Sequence, residues 1–94
     1  MRKVFQTRTF AKNKKKLLKK QVSELDNVVL KILGDPEIGE QKKGDLQSVY
    51  VYKCKITKKL FLVAYLFDDD TLTLLTVGSH ENFIRDLKKQ IANT

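Results

Sequence analysis

The sequence predicts an α+β domain: one antiparallel sheet with a helical hairpin packed on one face and a helix at the end. Three observations predict it. Val22, Leu25, Val28, Val29, Ile32 and Leu33 recur at spacings of three and four, one stripe of a helix. From Ser48 to Val77 the pattern becomes that of strands. Two short charged breaks, Lys58-Lys59 and Asp68-Asp69-Asp70, divide that stretch into three runs, as in a meander of neighbouring antiparallel strands. A length of 94 residues allows one domain, 1–94.

In chain order, residues 2–7 read as a short strand anchored by Val4 and Phe5. Thr7 or Thr9 caps a first helix starting near Arg8, with Phe10, Leu17 and Leu18 near one face and lysines on the other. The second helix carries the apolar stripe. Ser23 with Asp26 three residues on suggests a capping box, so the chain turns near 20–22. Gly34-Asp35-Pro36 ends that helix. Residues 35–47 lack any period and read as loop. In the first meander strand Tyr50, Tyr52, Cys54 and Ile56 share one face; Val49, Val51, Lys53 and Lys55 share the other. Residues 60–67 are apolar on both faces, as a central strand is. Residues 71–77 form the last strand, Gly78 breaks it, and Ser79 caps a final helix buried through Phe83, Ile84, Leu87 and Ile91. The order is β–α–α–β–β–β–α, and the first strand pairs as an edge.

Charge narrows the partners. The formal net charge is +8. Residues 1–20 hold nine of the nineteen basic residues and no acidic one; the other ten nearly balance all eleven acidic residues. Such an excess points to a polyanion: RNA, DNA or an acidic protein segment. No apolar run approaches the roughly 18 residues of a membrane span. The single Cys54 forms no internal disulfide, which suits a reducing cytoplasm. One histidine and one cysteine do not make a four-ligand zinc site, and no cofactor is expected.

Three stretches resemble toxins of the RelE/ParE superfamily, the toxin halves of bacterial type II toxin–antitoxin pairs. They are Asp35-Pro36-Glu37-Ile38-Gly39 leading to Lys42-Lys43-Gly44-Asp45-Leu46; Val51-Tyr52-Lys53 with Leu62-Val63-Ala64-Tyr65; and Val77-Gly78-Ser79-His80-Glu81-Asn82-Phe83 with Arg85-Asp86-Leu87-Lys88. The resemblance implies a cytoplasmic toxin neutralised by a cognate antitoxin. RelE-like members cut mRNA in the ribosomal decoding site; ParE-like members inhibit DNA gyrase. The histidine after Gly-Ser, here His80, is similar to that of a YafQ-like branch, where it assists RNA cleavage. Leu62 and Ile84 stand where relatives carry Arg and Tyr.

Metal-independent RNA cleavage needs a base for the 2′-OH, charge stabilisation for the transition state and an acid for the 5′-oxygen. An imidazole, with an ordinary pKa near 6.5, suits the proton transfers. The candidate catalytic set is His80 with Lys53, Lys55 and Arg85. Read from the residues alone, His80 is equally an ordinary histidine beside a helix cap, Lys53 and Lys55 a solvated sheet face, and Arg85 an ion-pair partner of Glu81. Lys42 and Lys43 are candidates for backbone contact, and Phe83 is a core anchor or a stacking aromatic. Tyr50 and Tyr52 read as core, and Asp68–Asp70 as a hairpin turn. The run Lys12, Lys14, Lys15, Lys16, Lys19 is read three ways: along nucleic acid, under an acidic antitoxin segment, or as a solvated helix face. The leading expectation is a ribosome-associated mRNA endonuclease; the alternative is a ParE-like toxin acting on DNA or gyrase.

Overall fold

The structure is a computed structural model, and it describes residues 2–41 and 49–79. Five strands form one sheet in the order β1-β5-β4-β3-β2. They are β1 (Lys3–Gln6), β2 (Glu40–Gln41), β3 (Tyr50–Ile56), β4 (Lys59–Phe67) and β5 (Thr71–Ser79); the helices are α1 (Arg8–Lys15) and α2 (Lys19–Gly34). The expected α+β class and element order hold over these residues.

The sheet is antiparallel from β2 to β5, but β1 joins the β5 edge in parallel, Lys3 opposite Thr71 through Gln6 opposite Leu74. It is therefore mixed rather than wholly antiparallel. The helical hairpin follows β1, and parallel neighbours need such a long crossover. β4 lies at the centre, flanked by β3 and β5, as its two-sided apolar run requires.

The α1–α2 boundary lies at 16–18, earlier than the expected 20–22. Two local features set it. The Leu18 backbone is extended, and its N–H donates to Gln21 Oε1 at 2.9 Å, so a glutamine side chain closes the helix start. Ser23 and Asp26 do not cap it; Asp26 instead pairs with Lys14 across the hairpin at 3.1 Å. Leu17 packs on the core, but Leu18 is 71% exposed, contrary to the shared face expected for it. Thr7 does cap α1, accepting from the Phe10 amide at 3.1 Å.

The core lies between the hairpin and one sheet face: Phe10, Leu25 and Ile32 meet Ile56, Val63, Tyr65, Leu72 and Val77, with Tyr50 and Tyr52 packed at its margin. Val49, Val51, Leu62, Ala64 and Leu75 cluster on the opposite face. A bulge at the Ala64–Tyr65 register step leaves Leu75 as the extra residue of β5.

Three loop expectations change. Residues 35–47 contain a 3₁₀ turn (Pro36–Ile38) and β2, which pairs with Tyr50 and Val51 through main-chain bonds that side-chain pattern does not announce. The first meander turn is Thr57-Lys58, because Ile56 pairs with Lys59. Gly78 does not break β5; it pairs with Leu62, and the strand runs to Ser79. The expected final helix lies outside the described residues.

Candidate nucleic-acid interface

Lys53 and Lys55 stand on β3, exposed, on the sheet face away from the helical hairpin. The meander sets their neighbours. Lys53 is opposite Leu62, which is opposite Gly78; Cys54 is opposite Phe61, which is opposite Ser79; Lys55 is opposite Leu60. Directly opposed residues share a face, so Lys53, Leu62 and Gly78 form one row across three strands. Two strand spacings separate the ends of that row, roughly 10 Å. A Cβ added at Gly78 would meet nothing within 4 Å, so the row ends in open space beside the chain's exit toward residue 80.

Leu62 is 3% exposed in the middle of the row. Where the resemblance would put a guanidinium, this chain has an apolar side chain packed with Val51 and Ala64. Cationic chemistry on this part of the face therefore rests on the two lysines of β3. Cys54, between them in sequence, points to the core side, its thiol against the Phe61 carbonyl oxygen at 3.7 Å. Burial pushes its pKa up to about 11. That favours the neutral thiol and makes it a poor nucleophile.

Tyr50 and Tyr52 lie on the core side, as expected. Tyr50 stacks on Tyr65, with centroids 5.8 Å apart, and meets Phe67 at 4.9 Å. The Tyr65 hydroxyl donates to the Pro36 carbonyl at 2.6 Å and accepts from the Gly39 amide at 3.0 Å. Burial raises its pKa to about 12. Asp68 is the turn residue expected: one carboxylate oxygen accepts from the amides of Asp70 and Thr71 and from the Thr71 hydroxyl. The two amide bonds lead in holding its pKa below the ordinary carboxylate value.

The lysine run does not lie on one surface with Lys53 and Lys55. Lys12, Lys14 and Lys15 occupy the last turn of α1, Lys16 its C-cap and Lys19 the start of α2, on the other side of the sheet. Lys14 is engaged with Asp26 in the only ion pair among the described residues, while Lys12, Lys15, Lys16 and Lys19 are exposed. His80, Arg85, Phe83, Lys42 and Lys43 lie outside the described residues. Sequence reasoning missed the role of Gly78 as a paired strand residue, because a glycine at a strand end also reads as a breaker.

A helical hairpin on one face of this five-stranded sheet, with cations on the other face, defines the fold of RelE-type toxins. The chain belongs to the ParE-like toxin family of type II bacterial toxin–antitoxin systems, whose family model matches residues 4–88. No curated protein matches the sequence. Among solved structures, a copper-bound mutant toxin from Helicobacter pylori is 30% identical, covering 88% of this chain and 99% of that one, with a TM-score of 0.67. The intact E. coli RelBE toxin–antitoxin complex matches at 18% identity, with 84% and 96% coverage and a TM-score of 0.67. YafQ from E. coli matches at 13% identity, with 86% and 96% coverage and a TM-score of 0.64. These last two likenesses speak for the fold. No helix among the described residues is long and apolar enough to cross a membrane.

Proposed function

We propose that this toxin acts in the cytoplasm as a ribosome-associated mRNA endonuclease held in check by a cognate antitoxin. The observation that carries the reading is the cross-strand row: Lys53 lies in register with Gly78, two residues before His80 in sequence. In this reading a 2′-oxygen attacks the adjacent phosphorus while His80 accepts its proton. The phosphorus–5′-oxygen bond breaks, and the departing oxygen takes a proton. Lys53, Lys55 and Arg85 stabilise charge on the phosphoryl oxygens, which builds up in the transition state. Lys42, Lys43 and Phe83 extend the contact to neighbouring nucleotides, and the exposed lysines of the hairpin dock on ribosomal RNA backbone. The step needs no metal in this scheme.

The test is cleavage of a programmed mRNA on purified ribosomes, in EDTA-free buffer and after replacement of the free metal pool. New 5′ ends that depend on Lys53 and His80 support the reading. Intact mRNA at saturating toxin overturns it. The match to a ParE-like family model favours one second reading, action on DNA gyrase. A supercoiling assay with purified gyrase decides it: inhibition there, with mRNA intact, assigns the chain to that target.

A further inference from the structure

One amide side chain ties two distant parts of the chain together. Gln21 accepts from the Leu18 N–H through Oε1 and donates to the Thr57 hydroxyl through Nε2, at 2.9 and 3.1 Å. One turn further along α2, Glu24 Oε2 accepts from the Thr57 amide at 2.8 Å. The start of α2 is thereby fastened to the β3–β4 turn, with three consequences. Lys19 and Lys20 of α2 come beside Lys58 and Lys59 of the turn, all four exposed. Lys59 is opposite Ile56, a core residue on the helical side, so it stands on the same side of the sheet as α2. Leu18, at 71% exposure the most open large hydrophobic residue described, sits at the edge of this group. Glu24 is the one carboxylate there, and it is turned to Thr57.

We propose that Leu18, Lys19, Lys20, Lys58 and Lys59 form a docking surface for a protein segment in which acidic residues flank an apolar one. Four cations select a polyanion, as the composition already requires. Leu18 selects among polyanions: a phosphate backbone offers nothing to cover a leucine side chain, whereas an acidic peptide with one apolar residue both neutralises the lysines and buries Leu18. The surface lies on the side of the sheet away from Lys53 and Lys55, so its occupation is distinct from RNA cleavage. In a toxin–antitoxin pair such a segment belongs to the partner protein.

The experiment uses the full chain and three probes: a 16-residue peptide of glutamates with a central leucine, the same peptide with serine for that leucine, and a short RNA duplex. Binding is followed by fluorescence anisotropy at physiological salt, with amide chemical shifts locating the contact. The leucine peptide is expected to bind with shifts confined to 17–21 and 57–59. Leu18→Ser should weaken it about tenfold and leave the RNA duplex unchanged. Lys58→Glu with Lys59→Glu should weaken it at least about fivefold. Equal affinity for both peptides, or a Leu18→Ser variant that binds the leucine peptide as well as the wild type, overturns the proposal and leaves a surface for charge alone, of the kind RNA uses. Circular dichroism of each variant confirms folding, and Leu18→Met, which keeps the apolar contact, should restore binding. Cleavage on ribosomes, measured on the same variants, reports the proposed catalytic function separately.

Discussion

The Glu24 carboxylate accepts a hydrogen bond from the Thr57 amide at 2.8 Å, across 33 residues of chain. It holds a turn whose two central residues have left-handed backbones, Thr57 at φ 49° and Lys58 at φ 69°. Two-residue hairpin turns of this hand favour Asn-Gly, and a β-branched threonine there is strained. The helix supplies what the turn sequence lacks: Glu24 takes the amide and Gln21 the hydroxyl. Removing the carboxylate with Glu24→Ala should cost about 1–2 kcal/mol in urea unfolding. Replacing Lys58 by Gly should offset part of that loss, since glycine adopts positive φ without a steric penalty. A Glu24→Ala variant as stable as the wild type would show that the turn stands without α2.

Tyr65 fixes the approach to β2. It is fully buried, and its hydroxyl bridges Pro36 and Gly39. Tyr65→Phe keeps the packing but leaves a carbonyl and an amide short of a partner, which should cost about 1–3 kcal/mol. Gly39→Ala meets the same hydroxyl from the other side: a Cβ there would overlap Tyr65 Oη, and a buried ring cannot swing aside. That substitution should cost about 1–3 kcal/mol as well, and the double variant should cost less than the two losses added. Thermal unfolding of the four proteins measures the coupling.

Alkali should unfold the protein through its buried acids. Burial raises the Cys54 thiol from 9.0 to about 11 and the Tyr65 phenol from 10.0 to about 12. Both groups are neutral in either state below their ordinary values, so their stabilising effect is fully present there. It is lost as pH rises through about 11 and then about 12, where the unfolded chain has already ionised. Alkylation reads the thiol directly: at mildly alkaline pH the folded chain should react at least about tenfold more slowly with iodoacetamide than the urea-unfolded chain. Equal rates would contradict the burial of Cys54.

The helical lysines should govern ribosome association through salt. Lys15→Glu with Lys16→Glu reverses two exposed charges, whereas Lys14 is already engaged with Asp26. The double variant should bind ribosomes more weakly and with a shallower dependence on salt concentration. At saturating protein it should cleave as the wild type does. Loss of cleavage at saturation would place these lysines in the chemistry instead.

Much of this fold was legible because side-chain period reports burial. The α2 stripe, the two-sided apolar β4 and the Lys53/Lys55 face of β3 follow from residue spacing alone. The misses share a cause: main-chain or long-range bonds decided them. β2 is two charged or polar residues, Glu40 and Gln41, paired through their backbone to Tyr50 and Val51. The α2 start depends on Gln21, a residue with no strong capping signature. The Thr57 turn depends on Glu24, far away in sequence. Parallel pairing of β1 also leaves no trace in a four-residue strand that is exposed throughout. Of the candidate site, the strand lysines were legible as a pair, but their register with Gly78 required the assembled meander. The separation of the helical lysines from Lys53 and Lys55 by the sheet was equally invisible to composition.

The most direct test of the account is primer extension on translated mRNAs in cells, after induction of the wild type and of His80→Ala at equal protein levels. The account predicts growth arrest with new 5′ ends inside coding regions for the wild type, and neither for the variant. Arrest by the wild type with every message intact would contradict it.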